Sequence, residues 1–335
     1  MVTKEFLIKK IQEKKELRGL SVQIVIDVVD SYLSHYRMNL EQVSKHESII
    51  IVKEVRRKLH IYTARFQRNA EDRASLISAR RYKDVLTTHA STAVRITDYV
   101  LLRNELKKRN VKSILDLGCG LNPIALAESG MKYYAVDIRE DEQALLAAFF
   151  HQEGITGKGI ICDIRKNLPS VPPVDACLLM NVLDVLETRG HKRAEEIITG
   201  VNARYFFITF STKTLSKRPM RHPQRGWIER LLTRRGFLWE RVSLSTEILY
   251  IANYEESEFA KCSRTRTHPD FSSRVLDIAQ APAAALVPPK RSFMPVVMRK
   301  ADIIMINECL IPALMLPSAS LPMTSPVKNP CVRSK

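Results

Sequence analysis

From Thr3 to about Asn110 the apolar residues recur at three- and four-residue spacing, with no strict alternation of useful length, and this predicts amphipathic helices. Ser21 is placed to cap a helix through Val22–Tyr36, Asn39 or Glu41 to open one running towards Phe66, and Ser91 to cap one through Thr92–Arg109. Near Val111 the pattern changes. VKSILDL (111–117), YYAVDI (133–138), KGIICDI (158–164), DACLLMN (175–181), RYFFITF (204–210) and TEILYIAN (246–253) are short apolar, β-rich runs. Most are separated by helix-like segments such as Asp141–Gln152 and Lys192–Val201, and strands alternating with helices imply a parallel sheet wound on both faces. The expected fold is therefore α/β and doubly wound over residues 111–254, preceded by an all-helical domain over 1–110. After Tyr254 neither period persists and ten of the sixteen prolines lie between Pro269 and Pro330, so residues 255–335 read as a disordered tail.

Charge changes this picture through its distribution. The chain of 335 residues carries a formal net charge of +17, of which residues 1–110 hold +10, residues 111–212 hold −3 and residues 213–241 hold +7. Basic flanks around a nearly neutral middle suit a protein that binds a polyanion and keeps a small-molecule pocket at its centre. The opening MVTKEFLIKKIQEKK interrupts every apolar step with a charge, unlike a secretory signal, and no segment has the apolar length of a membrane span. The six cysteines are scattered without a C-x-x-C pair, which reads as reduced thiols in a cytoplasmic protein that holds no metal.

The strongest chemical signal is Ser113-Ile114-Leu115-Asp116-Leu117-Gly118-Cys119-Gly120-Leu121-Asn122-Pro123. An apolar run ends at Asp116, Gly118 and Gly120 permit a tight turn, Asn122 can cap the next helix, and Pro123 suits its first position. A dinucleotide loop would place a third glycine where Pro123 stands. The acid inside D-x-G-x-G points instead to S-adenosylmethionine, whose ammonium and sulfonium groups are cations. Asp137 ends the next strand run, where a carboxylate can accept both ribose hydroxyls, and Asp163 ends the third, where it can accept from an adenine amino group.

With these residues in place, Lys9 to Tyr254 resembles the aminoglycoside-resistance methyltransferases that modify N7 of a guanosine in the decoding site of 16S rRNA. His89-Ala90-Ser91-Thr92 followed by Arg95, the loop LGCGLNPIAL (117–126), Phe210-Ser211-Thr212-Lys213-Thr214-Leu215 and Thr246-Glu247-Ile248-Leu249-Tyr250 carry the resemblance. It implies a class I methyltransferase with a seven-stranded, mostly parallel sheet, S-adenosyl-L-methionine as cofactor, the small ribosomal subunit as partner, and a monomeric enzyme. It also implies that His89 lies at the cofactor pocket, and that Arg95, Lys213, Arg218 and Glu247 contact substrate. The segment Met180–Glu187 stands where the family handles the target base, which makes Asn181 and Glu187 the catalytic candidates, although the family has lysine at Asn181 and proline at Asp184. The family's arginine before the glycine-loop strand is missing, and Lys112 is the nearest cation for a methionine carboxylate.

A guanine N7 loses no proton on methylation, so no general base is required, and none of the motifs of amino-group or ribose methylation is present. Lys213, Lys217, Arg218, Arg221, Arg225, Arg230, Arg234 and Arg235 follow the fifth strand run directly and form a candidate phosphate grip. Trp227 within it fits the core better than a base-stacking role. Removal of residues 1–110 is expected to spare cofactor binding and to abolish modification of ribosomal subunits. The readings that compete are a methyltransferase of another RNA or position, an inactive RNA-binding homologue, and a small-molecule methyltransferase, which leaves the basic N-terminal domain unexplained.

Overall fold

The computed structural model describes residues 2–62, 66–68, 72–186, 190–213, 218–221 and 223–254, so the expected tail and Glu187 lie outside the described residues. The first three helices, α1 (Lys4–Gln12), α2 (Val22–His35) and α3 (Lys45–Tyr62), bury one core of their own around Leu7, Ile11, Leu17, Val25, Val29, Ile51, Val55 and Leu59. The start of α3 departs from expectation. Asn39 caps only a 3-10 turn over Leu40–Gln42, and the helix begins at a capping box in which Ser44 Oγ accepts the Glu47 N–H at 3.1 Å and Glu47 Oε2 accepts the Ser44 N–H at 2.8 Å.

Four short helices follow: α4 (Arg73–Ser78), α5 (Tyr82–Thr87), α6 (Ala90–Arg95) and α7 (Tyr99–Lys108). The single helix expected over Thr92–Arg109 is broken between α6 and α7. At the break Asp98 takes the Ser245 N–H and hydroxyl, the latter at 2.6 Å, while Arg95 turns into the interior. These tertiary bonds outweigh the local preference for a continuous helix.

The sheet contains β1 (Ser113–Leu117), β2 (Lys132–Asp137), β3 (Thr156–Ile161), β4 (Val174–Met180), β5 (Ala203–Ser211), β6 (Leu238–Ser243) and β7 (Glu247–Asn253) in the order β3-β2-β1-β4-β5-β7-β6. The first five are mutually parallel, and β7 runs antiparallel to both β5 and β6. The interior strands are mostly apolar because helices cover both faces. The edge strand β6 lay outside the apolar runs because most of its side chains face solvent, with Leu238 54% exposed. Between the strands lie α8 (Asn122–Leu126), α9 (Glu140–Gln152), α10 (Leu183–Leu186), α11 (Lys192–Gly200) and α12 (Gly226–Arg234). Among the described residues no helix is long and apolar enough to cross a membrane, and Cys119, Cys162 and Cys177 are unpaired.

The two faces of the sheet have separate cores. One packs Leu115, Cys177, Phe206 and Phe210 beneath Ile197, Ile198, Ile228 and Leu232 of α11 and α12. The other packs Ile114, Tyr133, Leu178 and Phe207 beneath Phe149 and Phe150 of α9 together with Ile77, Val85, Tyr99, Leu102 and Leu106. Those last five belong to α4, α5 and α7, so a boundary at residue 110 cuts through a shared core, and the separate helical unit ends near Leu59. A fragment beginning at Val111 would lose the cover from one face, each large apolar side chain there being worth about 1.5–3 kcal/mol on full burial. It is therefore expected to lack a cooperative near-ultraviolet thermal transition, whereas a fragment beginning at Asp72 should retain one; calorimetry of the two fragments checks the difference.

Candidate active site

The strand order reverses between β1 and β4, and in such sheets ligands sit beyond the carboxyl ends of the strands at the reversal. The glycine loop lies there. Gly118 and Gly120 have φ of 70° and 48°, the left-handed region that glycine adopts without cost. A Cβ on Gly118 would come within 2.8 Å of Val182 Cγ2, and one on Gly120 within 3.0 Å of the His89 ring, so β4's end and α6's start both close on the loop. His89 is buried, its Nδ1 is 2.9 Å from Ser91 Oγ, and it stacks on Phe66 with ring centroids 5.8 Å apart. Burial pushes its pKa down to about 4, which keeps the imidazole neutral.

The strand-end acids follow the glycine loop. Asp137 Oδ2 accepts the Gly120 N–H at 3.0 Å and Oδ1 accepts the Ile138 N–H at 2.7 Å. Asp116 is fully buried: Oδ2 accepts the Tyr133 hydroxyl at 2.8 Å, while Oδ1 has no hydrogen-bond partner among the described residues. Burial raises the Asp116 pKa to about 7, and burial with the neighbouring Glu142 charge raises that of Asp137 to about 6. Asp163, two residues beyond β3, is held on both oxygens by Arg165 at 2.7 Å. A buried acid with an unpartnered acceptor, beside a loop that has no room for a Cβ, fits the ammonium of a methionine moiety. Among the described residues no group of three or more His, Cys, Asp or Glu side chains is placed to hold a metal ion.

Other expected site residues stand elsewhere. Lys112 is exposed at the amino end of β1, where its N–H donates to Asp175, and roughly 15 Å of strand separates it from the loop. It cannot serve a carboxylate there. Arg95 and Glu247, expected to contact substrate, are 0% and 1% exposed and bind each other through two hydrogen bonds of 3.1 and 2.8 Å. Arg95 also donates to Asn122 Oδ1 at 2.7 Å, as does the Tyr99 hydroxyl at 2.8 Å. Asn122 is thus an interior acceptor, and its side chain does not cap α8. Asn181, at the end of β4 with φ 59°, donates from Nδ2 to Glu247 Oε1 at 2.5 Å. One polar chain therefore runs from the helix behind the glycine loop through Arg95 and Glu247 to Asn181.

Along the basic strip, Lys213, Arg218 and Arg221 are exposed just past β5; further on, Arg225 pairs with Asp184, and Arg234 and Arg235 pair with Glu195. Trp227 stacks on His191 with centroids 3.9 Å apart, meets Phe210 edge-on and packs against the core. No local pattern announces the buried Arg73–Glu142 pair at 2.9 Å, which anchors α4 to α9 and also binds Gln67. Arg73 and Glu142 are ordinary surface types in polar segments, and only their sequestration between helices gives them a role.

Comparison with known proteins bears on this arrangement. The family described as Ribosomal RNA methyltransferase (FmrO) matches residues 52–251. The 16S rRNA (guanine(1405)-N(7))-methyltransferase of Micromonospora echinospora is 26% identical over 189 residues, covering 54% of this chain and 68% of that protein. The protein of the same description from Serratia marcescens is 25% identical over 182 residues, with 53% and 72% covered. Among solved structures, the 16S rRNA methyltransferase RmtF in complex with S-adenosyl-L-homocysteine is similar at 25% identity and a TM-score of 0.63, covering 75% of this chain and 98% of that one.

Two outcomes follow from the buried groups. Both Asp116 and Asp137 have folded-state pKa values above the unfolded value of about 3.9, so the folded state binds the extra protons and stability falls as pH rises from about 4 to 7. Thermal melts of wild type against Asp116→Asn should show the variant gaining relative stability across that window and no further gain above it. Glu247→Ala leaves Arg95 as an uncompensated buried charge and should cost about 3–5 kcal/mol in urea unfolding, far more than loss of a surface contact to substrate would.

Proposed function

Because the chain belongs to the FmrO family of ribosomal RNA methyltransferases, we propose that it transfers the methyl group of S-adenosyl-L-methionine to N7 of a guanosine in the decoding site of 16S rRNA. The observation that carries this reading is the glycine loop at the sheet's switch point, framed by Asp116, Asp137 and Asp163 at the ends of three consecutive strands. When bound, the cofactor supplies an electrophilic methyl on a cationic sulfonium. The rest is positioning. The unpartnered oxygen of Asp116 would take the cofactor's ammonium, Asp137 would take the ribose hydroxyls and Asp163 the adenine amino group.

Asn181 stands at the reacting end, with its amide held by Glu247. The target N7 has a lone pair and releases no proton, so a neutral amide is sufficient there, and the contribution of the enzyme is to hold the base in line with the methyl group. The buried neutral His89 closes the pocket beside Gly120. Lys213, Arg218 and Arg221, exposed beyond β5, and the basic helical unit before residue 60 supply phosphate contacts on either side. We further infer a monomeric enzyme that acts on ribosomes in the cytoplasm without a metal ion.

Mass spectrometry of 16S rRNA methylated in vitro on 30S subunits should locate one added methyl on a guanosine, with the depurination chemistry of a 7-methylguanosine. Asp137→Ala should weaken S-adenosylhomocysteine binding by about 1–3 kcal/mol by calorimetry. Methyl groups on adenosine or on ribose, or unchanged affinity in the variant, would overturn the assignment. Arg218→Glu should leave that affinity unchanged while lowering the slope of log 30S affinity against log salt by about 0.7–0.9 in magnitude. An unchanged slope removes Arg218 from the interface.

A further inference from the structure

The helical unit made of α1, α2 and α3 rests on the loops that follow β2 and β3, and these two loops carry Asp137 and Asp163. After β2, the Ser21 N–H donates to the Ile138 carbonyl at 3.1 Å, the Glu140 N–H donates to the Gly19 carbonyl at 2.8 Å, and Arg139 Nη1 donates to the Glu16 carbonyl at 2.9 Å. Ile138, next to Asp137, packs against the core of the helical unit. After β3, Lys166 Nζ bonds to Asp27 of α2 at 2.9 Å. Arg165 binds both oxygens of Asp163 at 2.7 Å, and its guanidinium lies 3.7 Å above the ring of Tyr62, the last residue of α3.

Each carboxylate oxygen accepts about two hydrogen bonds. On Asp163, Nε and the backbone N–H of Arg165 converge on Oδ1, while among the described residues Oδ2 receives Nη2 alone. Oδ2 therefore keeps capacity for one more donor, in an orientation that the two-point Arg165 contact sets. Arg165 is in turn set by the Tyr62 ring. A planar guanidinium stacked on an aromatic face and forked onto a carboxylate has little freedom left, so the placement of α3 reaches the candidate adenine acceptor through one side chain.

We propose that Arg165 is a positioning residue that couples the adenine end of the cofactor site to the docking of the helical unit, with Tyr62 as its seat. This rests on the cofactor reading given above. Binding of an adenosyl group at Asp163 tightens the Arg165–Tyr62 contact, and a seated α3 raises affinity for the adenosyl group. Such coupling is reciprocal.

The decisive variant is Tyr62→Leu in the full chain, because Tyr62 lies on the helical unit and, among the described residues, reaches Asp163 through Arg165. Calorimetry with S-adenosylhomocysteine and with its inosine counterpart, which lacks the adenine amino group, separates the outcomes. Wild type should prefer the adenosine compound; Tyr62→Leu and Arg165→Lys should each bind it 3–30-fold more weakly and lose most of that preference. Hydrogen exchange should show the cofactor product slowing the α3 amides in wild type and leaving them unchanged in both variants. Equal affinity and equal base preference in wild type and Tyr62→Leu would overturn the coupling. A wild type that binds neither compound would instead overturn the cofactor reading, so the two failures are distinct. Should Arg165→Lys fail to fold, Tyr62→Leu alone decides.

Discussion

The buried ion pair of Arg95 and Glu247 is the constraint around which the site is organised. Two charges out of water cost several kcal/mol each, and only a two-point hydrogen-bonded geometry with further donors and acceptors offsets this. Here Glu247 receives Arg95 twice and Asn181 once, and Arg95 gives its remaining reach to Asn122, which Tyr99 also bonds. Each partner comes from a different element: α6, β7, the end of β4, the start of α8 and α7. None of the five elements can shift without leaving a charge or an amide unpaired in the interior. The glycine loop and the end of β4 are thereby tied to each other by electrostatics rather than by loop stiffness.

The same requirement explains the form of the N-terminal half. Arg95 can enter the interior only because the helix stops after it, and Asp98 stabilises that stop by taking the Ser245 N–H and hydroxyl. The helices on either side of the break then become cover for one face of the sheet, sharing a core with Ile114 and Tyr133. What resembles one helical domain by periodicity is thus two things: a three-helix unit with its own core, and a layer of the catalytic domain. The basic charge of the first unit remains on its surface, while the second contributes His89, Arg73 and Arg95 to the interior.

Acids crowd the pocket in a protein of net charge +17, and the crowding has a chemical purpose. Asp116 and Asp137 are buried and neither ionises as readily as in water, with burial the main cause and the Glu142 charge adding to it for Asp137. A cation placed beside them would relieve that cost. The cations that do enter the neighbourhood are committed elsewhere: Arg73 to Glu142 and Thr88, Arg139 to Asp141 and Glu16.

The sequence alone determined the order of strands and helices, the glycine loop and the strand-end acids, because these depend on spacing within a few residues of chain. Alternating apolar runs, a D-x-G-x-G turn and an acid at each strand end are local patterns, and the structure places Asp116, Gly118, Gly120, Asp137 and Asp163 together as that spacing implied. Burial and partner choice are not local. Arg95 and Glu247 are 152 positions apart, and their polarity suggests contact with substrate until the fold removes both from water. Lys112 is near the loop in sequence yet at the opposite end of a strand, since five extended residues reverse what adjacency suggests. Strand β6 escaped detection because an edge strand needs no apolar pattern, and the capping box at Ser44 was a local signal overshadowed by Asn39. Only the tertiary structure decided which charges face solvent and which hold the interior together, because that depends on what packs above each residue and not on the residue itself.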